Sequence, residues 1–273
     1  MIEGYRREDP PSTPQLAVPI TVANACFDAG MKSDKPDVQA AGCLSLIAFF
    51  YLLRVGEYTR PRMVTRNGRR VRATRTKQFT YSNVGFYKDG IVVKRTSPLS
   101  ILLECDAATL KITNQKNGRM GQTIHQQATG TAQCPVKALA HRINHINEHR
   151  VGDEDPLLCS FYNGTQWDTI QSSTIIKMVR TAAKLLQLET QNIDPDLIGA
   201  HSLRAGGAMA LRLHGFDDTT IRKMGRWTSD TFLMYIHNQI AHLAEDMSRK
   251  MSMPLPFLNI ASIEPAAPAP HAL

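Results

Sequence analysis

The chain has 273 residues, of which 42% are hydrophobic and 21% are charged. This composition predicts a globular protein of one large domain or two small ones, and it excludes predominant disorder. The net charge of +8 and the pI near 9.4 favour a polyanionic partner, nucleic acid before others, but say nothing about the fold.

The cysteines are odd in number and scattered, without paired or metal-type spacing, at Cys26, Cys43, Cys105, Cys134 and Cys159. We expect reduced, mostly buried thiols in an intracellular protein. The most apolar stretch, residues 41–53, is shorter than the roughly 20 residues that span a membrane. It predicts a buried core helix. The polar, proline-rich residues 1–17 predict a linker and not a secretory signal.

The chain is predicted to begin with two helices, over residues 20–29 and 36–58, the second strongly apolar. Burial of its Leu, Ile and Phe side chains would contribute about 1.5–3 kcal/mol each. We expect such a core helix to hold the residue near its end, Arg54, firmly in place.

A strongly basic segment follows, with seven Arg, one Lys and no acidic residue between positions 60 and 77. A solvated loop would explain this pattern equally well by itself. The functional alternatives are contact with a phosphate backbone or a nuclear-import patch, and the motifs found further along the chain favour the phosphate contact. The predicted DNA-binding residues are Arg60, Arg62, Arg66, Arg69, Arg70, Arg72, Arg75 and Lys77.

Strands are predicted over residues 77–87, 90–96, 107–113 and 121–127. The last two would pair across the turn NQKNGRM, in which Asn117-Gly118 is a strong turn signal. Lys116 would lie at the tip of that hairpin, where most lysines are only solvated turn residues. Lys111, inside the strand, is the alternative candidate for a functional lysine.

A helix predicted from Pro135 carries His141, His145 and His149 at intervals of four residues. This is a ligand spacing for zinc on a helix. Because the further ligands of a closed tetrahedral site are not near in the sequence, we favour a polar helix face and predict no metal. A strand over 156–162 and a helix over 168–188 complete this part of the chain.

The most informative stretch is residues 199–237, GAHSLRAGGAMALRLHGFDDTTIRKMGRWTSDTFLMYIH. His201 and Arg204, three residues apart, would share one face of a helix. Gly206 and Gly207 inside that helix suggest a close approach by another backbone or a ligand. A short helix should follow and end at Gly225. Together with Arg, His, Trp and Tyr side chains, this segment suits a phosphate-like substrate better than a carbonyl or a metal.

These residues resemble the active-site signature of the tyrosine recombinase (phage integrase) family, in particular eukaryotic mobile-element members with a G-R-W box. The resemblance rests on H-x-x-R, on GRW and YIH, and on LLRVGEY near the start of the chain. It implies an α+β, mostly helical catalytic domain with a small antiparallel β-sheet on one edge. The implied catalytic residues are Arg54, Lys116, His201, Arg204, Trp227 and Tyr235, with Glu57 orienting a neighbouring Arg or Lys.

The chemistry fits each residue type. Two guanidinium groups would neutralise the phosphodiester, and Tyr235 would attack phosphorus after His201 takes its proton. Lys116 would protonate the leaving 5′-oxygen, and the Trp227 indole would donate to a phosphate oxygen. In much of the family, nine positions separate an active-site His or Trp residue from the nucleophile. That spacing would select Arg226, but we assign Trp227 because the SDT after it aligns.

The resemblance also implies double-stranded DNA as partner, a homotetramer on DNA, no cofactor, and a place in the cell with DNA, in the nucleus if the source is eukaryotic. Residues 18–250 would form the catalytic domain. Residues 1–17 would be a linker or the remnant of a core-binding domain, and the Pro/Ala-rich residues 251–273 a flexible tail.

Three other readings remain open. A truncated or inactive remnant would bind DNA without cutting it, and a type IB topoisomerase would share the chemistry but act as a monomer without a specific site. A metal-dependent nuclease would need clustered carboxylates, which these motifs lack.

Overall fold

The computed structural model describes residues 16–61, 63–66, 68–72, 77–113, 121–199 and 201–227. Within these ranges the chain is mainly helical with small antiparallel sheets, which confirms the predicted α+β class. The helices are α1 (Ile20–Met31), α2 (Pro36–Phe50), α3 (Val55–Tyr58), α4 (Leu99–Leu103), α5 (Pro135–His149), α6 (Ser172–Leu185), α7 (Ser202–Leu213) and α8 (Asp218–Gly225). The strands are β1 (Met63–Arg66), β2 (Arg69–Arg72), β3 (Val84–Lys88), β4 (Ile91–Val93), β5 (Ala107–Lys111), β6 (Thr123–Gln127), β7 (Ser160–Tyr162) and β8 (Trp167–Thr169).

Helix α2 forms the centre of the core, as the apolar stretch predicts. Pro36 begins it, where a missing N–H costs nothing, and every residue from Ala40 to Phe49 is buried. It packs against α1, α5, α6 and α7. The crossing with α1 is close, because a Cβ on Gly42 would lie 2.6 Å from the carbonyl oxygen of Cys26. None of the described helices is both long and apolar enough to cross a membrane.

The helix predicted to run from residue 36 to 58 is in fact broken. Leu52 adopts a left-handed conformation (φ 49°), and the N–H of Leu53 bonds back to the oxygen of Ala48. This is a Schellman ending, in which glycine normally takes the left-handed position. The chain turns there and restarts as α3, so that Arg54 lies at the helix start and not in mid-helix.

Four strands form the largest described sheet, in the order β4-β3-β5-β6. The predicted pairing of β5 with β6 is confirmed, with Leu110 opposite Ile124. The sheet is tied to α2 through the Tyr51 hydroxyl, which donates to the carbonyl oxygen of Ala108 at 2.9 Å. The β1–β2 hairpin, β8 and the short α4 were not predicted, and the strand predicted over 77–87 is reduced to β3.

All the cysteines are buried, and none forms a disulfide, in agreement with the predicted free thiols. Burial raises the pKa of Cys26, Cys43 and Cys159 to about 12. These thiols therefore remain protonated and act as small apolar side chains in the core.

Packing of α7 explains its pair of glycines. A Cβ on Gly206 would overlap the carbonyl oxygen of Val18, and one on Gly207 would overlap the carbonyl oxygen of Phe49 and the side chain of Leu52. The expected close approach of another backbone is confirmed. It holds α7 against the end of α2, which brings the two halves of the candidate site together.

The histidine face of α5 packs against the β7–β8 hairpin. His145 Nε2 accepts the N–H of Tyr162 at 2.9 Å, and the His149 ring stacks on Tyr162. His145, Glu148 and His149 lie close enough to form a candidate metal group. However, a ring nitrogen that accepts a hydrogen bond leaves the proton on Nδ1, so His145 has no free lone pair for a metal. The geometry favours packing over metal binding at this face.

Alanine at Gly207 should destabilise the protein. On an open helix this change would raise the free energy of unfolding by about 1 kcal/mol. Here the new methyl group would overlap backbone atoms, so we expect the free energy of unfolding to fall by about 1–3 kcal/mol. Urea unfolding would measure it. The control is Leu213→Ala at the exposed end of the same helix, expected within about 0.5 kcal/mol of wild type. A Gly207→Ala variant as stable as wild type would contradict the close packing.

His145 should make the protein less stable at mildly acidic pH. Burial first, then the charge of Arg142 and the neighbouring His149, lowers the pKa of His145 from 6.5 to about 4. Between pH 6.5 and 4 the unfolded chain therefore binds a proton that the folded chain does not, and the unfolding free energy falls as pH falls. The difference in unfolding free energy between pH 7 and pH 5, measured by urea titration, should be smaller for His145→Gln than for wild type. His125→Gln, at an exposed position of β6, is the control, and equal pH dependence of wild type and His145→Gln would refute the assignment.

Candidate active site

A tight turn after α8 is the focus of the candidate site. Asp217 caps the start of α8 by accepting the N–H of Thr220 at 2.9 Å. At the other end Arg226 adopts a left-handed conformation (φ 58°), and the N–H of Trp227 bonds back to the oxygen of Arg222. This is a second Schellman ending with a residue other than glycine in its left-handed position. The turn exposes the carbonyl oxygens of Gly225 and Arg226 to side chains from elsewhere.

Arg204 approaches this turn from α7. Its Nη1 donates to the carbonyl oxygen of Leu52 at 2.8 Å, and its Nη2 donates to the carbonyl oxygen of Gly225. The guanidinium carbon lies 4.2 Å from the centre of the Trp227 ring. A Cβ on Gly225 would overlap that ring, so glycine is required there. Arg204 thus joins the ends of α2 and α8 and is itself only 4% exposed.

Arg54, which directly precedes α3 near the start of the chain, contacts the same turn. Its Nη2 donates to the carbonyl oxygen of Arg226 at 3.0 Å. Glu57 accepts the backbone N–H of Arg54 at 2.8 Å and lies 3.3 Å from its Nη1. This capping interaction fixes both the backbone and the side chain of Arg54. The side chain remains 19% exposed.

Arg226 completes the group, which we call the arginine cluster: Arg54, Arg204 and Arg226 with the carboxylate of Glu57. The Nη2 of Arg226 donates to Glu57 Oε2 at 2.9 Å and to the carbonyl oxygen of Leu52 at 3.0 Å. Burial lowers the pKa of Arg226, and Glu57 opposes this shift. A guanidinium stays charged at physiological pH, so the cluster carries three positive charges against one negative charge. Such an excess favours an anionic ligand.

The structure therefore brings four of the predicted site residues together: Arg54, Glu57, Arg204 and Trp227. His201 is half-buried and directly precedes α7, one turn before Arg204. Lys116 and Tyr235 lie outside the described residues. Strands β5 and β6 flank the segment that contains Lys116, and Trp227 is the last described residue before the segment that contains Tyr235.

Sequence reasoning did not identify Arg226 as the partner of Glu57. It considered Arg226 only as the alternative to Trp227 in the nine-position spacing. The sequence carries no signal for this role, because Gly225 at the predicted helix end would normally take the left-handed position that Arg226 occupies.

The basic segment is only partly described. Arg60 is exposed, but its guanidinium already pairs with Asp168 at 2.7 Å and with the Thr169 hydroxyl at 2.8 Å. Arg69 and Lys77 are exposed. Arg66, Arg70 and Arg72 lie on the β1–β2 hairpin, where the structure describes only their backbone, and Arg62 and Arg75 lie outside the described residues.

No protein-family model and no curated protein matches the chain. Among solved structures, it is similar to the XerH site-specific recombinase bound to a palindromic difH substrate in a post-cleavage complex (15% identity, TM-score 0.49, 87% of this chain and 54% of that one). It is also similar to the XerA recombinase (17%, 0.49, 91% and 68%) and to the Tn1549 transposon integrase in complex with transposon right end DNA (12%, 0.43, 89% and 67%). The chain thus spans about half of the XerH chain. Similarity at this level carries no functional argument, which must come from the site.

Lysine at Arg204 should destabilise the protein. An ammonium group cannot reproduce the planar fork that reaches two carbonyls while stacking on Trp227, so we expect a loss of about 2–3 kcal/mol. Arg212→Lys on the same helix is the control, because Arg212 is exposed and its ion pair among the described residues is with Asp218. Thermal or urea unfolding would measure the stability of both variants. Equal stability would contradict the role of Arg204 in joining the two carbonyl oxygens.

Proposed function

We propose that the chain is the catalytic domain of a tyrosine recombinase that breaks and rejoins DNA through a 3′-phosphotyrosyl intermediate. One observation carries the proposal: Arg54 and Arg204, distant in sequence, donate to adjacent carbonyl oxygens of the turn Gly225–Arg226. Two permanent cations therefore meet directly before the segment that contains the candidate nucleophile, Tyr235.

The charge of the arginine cluster suits a phosphodiester. An oxygen nucleophile is repelled by the anionic phosphate until positive charge compensates it, and the charge grows further in the transition state. Arg54 offers its partly exposed guanidinium for direct contact, while Arg204 contributes its charge from a buried position. Arg54 is held by the carbonyl oxygen of Arg226 and by Glu57, and Arg204 by two backbone carbonyls, so their positions are set before substrate arrives.

The remaining roles are assigned by residue type. Tyr235 attacks phosphorus, and since a phenol has a pKa near 10, it needs His201 or the nearby cations to lose its proton at neutral pH. The 5′-alkoxide is a poor leaving group, so an acid must protonate it, and Lys116 is the candidate. The phosphotyrosyl ester retains the energy of the broken bond, so a free 5′-hydroxyl can reseal the strand without ATP or metal.

Trp227 would serve in two ways. Its indole N–H can donate to a phosphate oxygen, while its ring supports the guanidinium of Arg204 from one face. The exposed cations Arg69 and Lys77 would contact the DNA backbone outside the reacting phosphate. The partner would be double-stranded DNA inside the cell, bound by a homotetramer.

A second function is favoured by one specific observation. Arg204 is almost fully buried, and both of its terminal nitrogens donate to backbone carbonyls. In a remnant that binds DNA without cutting it, Arg204 would keep this structural role only. A trapping assay separates this alternative from the active enzyme.

A nicked DNA substrate should trap wild-type protein as a covalent adduct, because the short fragment lost after cleavage cannot return to reverse the reaction. The adduct should resist EDTA, survive denaturing electrophoresis and be absent with Tyr235→Phe, which lacks only the phenolic oxygen. Tyr162→Phe, on β7, is the matched control and should form adduct normally. Absence of adduct from wild type would favour the binding-only remnant, and equal adduct in wild type and Tyr235→Phe would refute the nucleophile.

A further inference from the structure

We propose that Arg226 is a positioning residue: its buried side chain holds Glu57 and its carbonyl oxygen holds Arg54, so that the Gly225–Arg226 turn orients Arg54 toward the reacting phosphate. This inference rests on the proposed function and extends it to a residue that the sequence motifs left unassigned. It also separates the roles of Arg226 and Trp227, which compete for the same position in the spacing argument.

The contacts among Arg54, Glu57 and Arg226 form a closed circuit. The Arg54 side chain donates to the Arg226 backbone at 3.0 Å, and the Arg226 side chain donates to Glu57 at 2.9 Å. Glu57 in turn accepts from the backbone of Arg54 at 2.8 Å and pairs with its guanidinium. Displacement of any one member therefore removes support from the other two.

Burial shows which member faces a ligand. The side chains of Arg226 and Glu57 are 1% and 2% exposed, whereas that of Arg54 is 19% exposed. Arg226 also has its Nε and Nη1 buried without a hydrogen-bond partner among the described residues. A guanidinium placed this way acts through its neighbours. Arg54 is the member of the circuit that can touch DNA.

The left-handed backbone of Arg226 makes the turn and the side chain separable by mutation. Glycine adopts this conformation more easily than arginine, so Arg226→Gly should keep the turn and its carbonyl oxygen while removing the guanidinium. The Arg226→Gly variant would leave the buried carboxylate of Glu57 without one of its positively charged partners. Adding Glu57→Gln removes that charge and retains an oxygen for the Arg54 N–H, so the pair Arg226→Gly with Glu57→Gln should fold even where the single variant does not.

The deciding experiment measures single-turnover cleavage of the nicked DNA at saturating protein, together with DNA affinity and thermal unfolding. We expect Arg226→Gly with Glu57→Gln to bind DNA as wild type does but to cleave about 100-fold more slowly, because a reacting group displaced by about 1 Å costs that much. Glu57→Gln alone shows how much of this loss comes from Glu57. Arg226→Lys retains a cation that reaches Glu57 and should recover most of the rate. Lys223→Ala, an exposed cation on the same helix, is the control and should match wild type.

Each result decides between roles. Wild-type cleavage by the paired variant would show that Arg226 only balances the charge of Glu57, and would overturn the inference while leaving the proposed function intact. Weaker DNA binding with an unchanged rate at saturation would also overturn it, because Arg226 would then contact DNA itself. Absence of adduct from wild type would overturn the proposed function, and with it the positioning role.

Discussion

The carbonyl oxygen of Leu52 is the contact on which the site depends. Two guanidinium groups donate to it, from Arg204 at 2.8 Å and from Arg226 at 3.0 Å. It is free to accept them because the left-handed conformation of Leu52 ends α2. Had α2 continued to Tyr58, this oxygen would have bonded to the N–H of Gly56 within the helix. Both guanidinium groups would then have lost their common acceptor, and Arg54 would point elsewhere.

The left-handed conformations of Leu52 and Arg226 each lower the free energy of unfolding by roughly 1–2 kcal/mol relative to glycine. The side chains offset this cost. Leu52 is buried in the core, and Arg226 makes charge-assisted hydrogen bonds that contribute about 1.5–3 kcal/mol each. Glycine would relax the backbone but would remove these contacts. Two of the five described non-glycine residues with positive φ therefore lie at the turns that the arginine cluster connects, and backbone strain of this kind is common at functional sites.

Sequence patterns predicted the parts of the fold that depend on local signals. Pro36 and Pro135 mark helix starts, Asn117-Gly118 lies between a correctly paired β5 and β6, and the glycine pair in α7 indicated close packing. The break at Leu52 was missed because no glycine or proline marks it. The β1–β2 hairpin was missed although Asn67-Gly68 between its strands is a turn signal, because the many Arg residues around it conceal any alternation of apolar residues.

The candidate site shows the same division. Ordered motifs predicted that Arg54, Glu57, Arg204 and Trp227 belong together, and the structure places them around one turn. The ion pair of Arg226 with Glu57 could not be predicted, since it joins residues 169 positions apart and depends on a turn conformation without a sequence signal. The catalytic roles of the residues around this turn, and those of Lys116, His201 and Tyr235, remain predictions.

Electrostatics explains why most of the cluster is buried. Arg204 and Arg226 are 4% and 3% exposed, so their charges act through a medium less polarisable than water, where a fixed charge is felt more strongly. An anion approaching Arg54 would meet this field without requiring the buried side chains to move. Their immobility is itself useful, because donors already held in place need no reorganisation when charge develops on the ligand. The backbone carbonyls that hold Arg204 thus set its orientation without neutralising its charge.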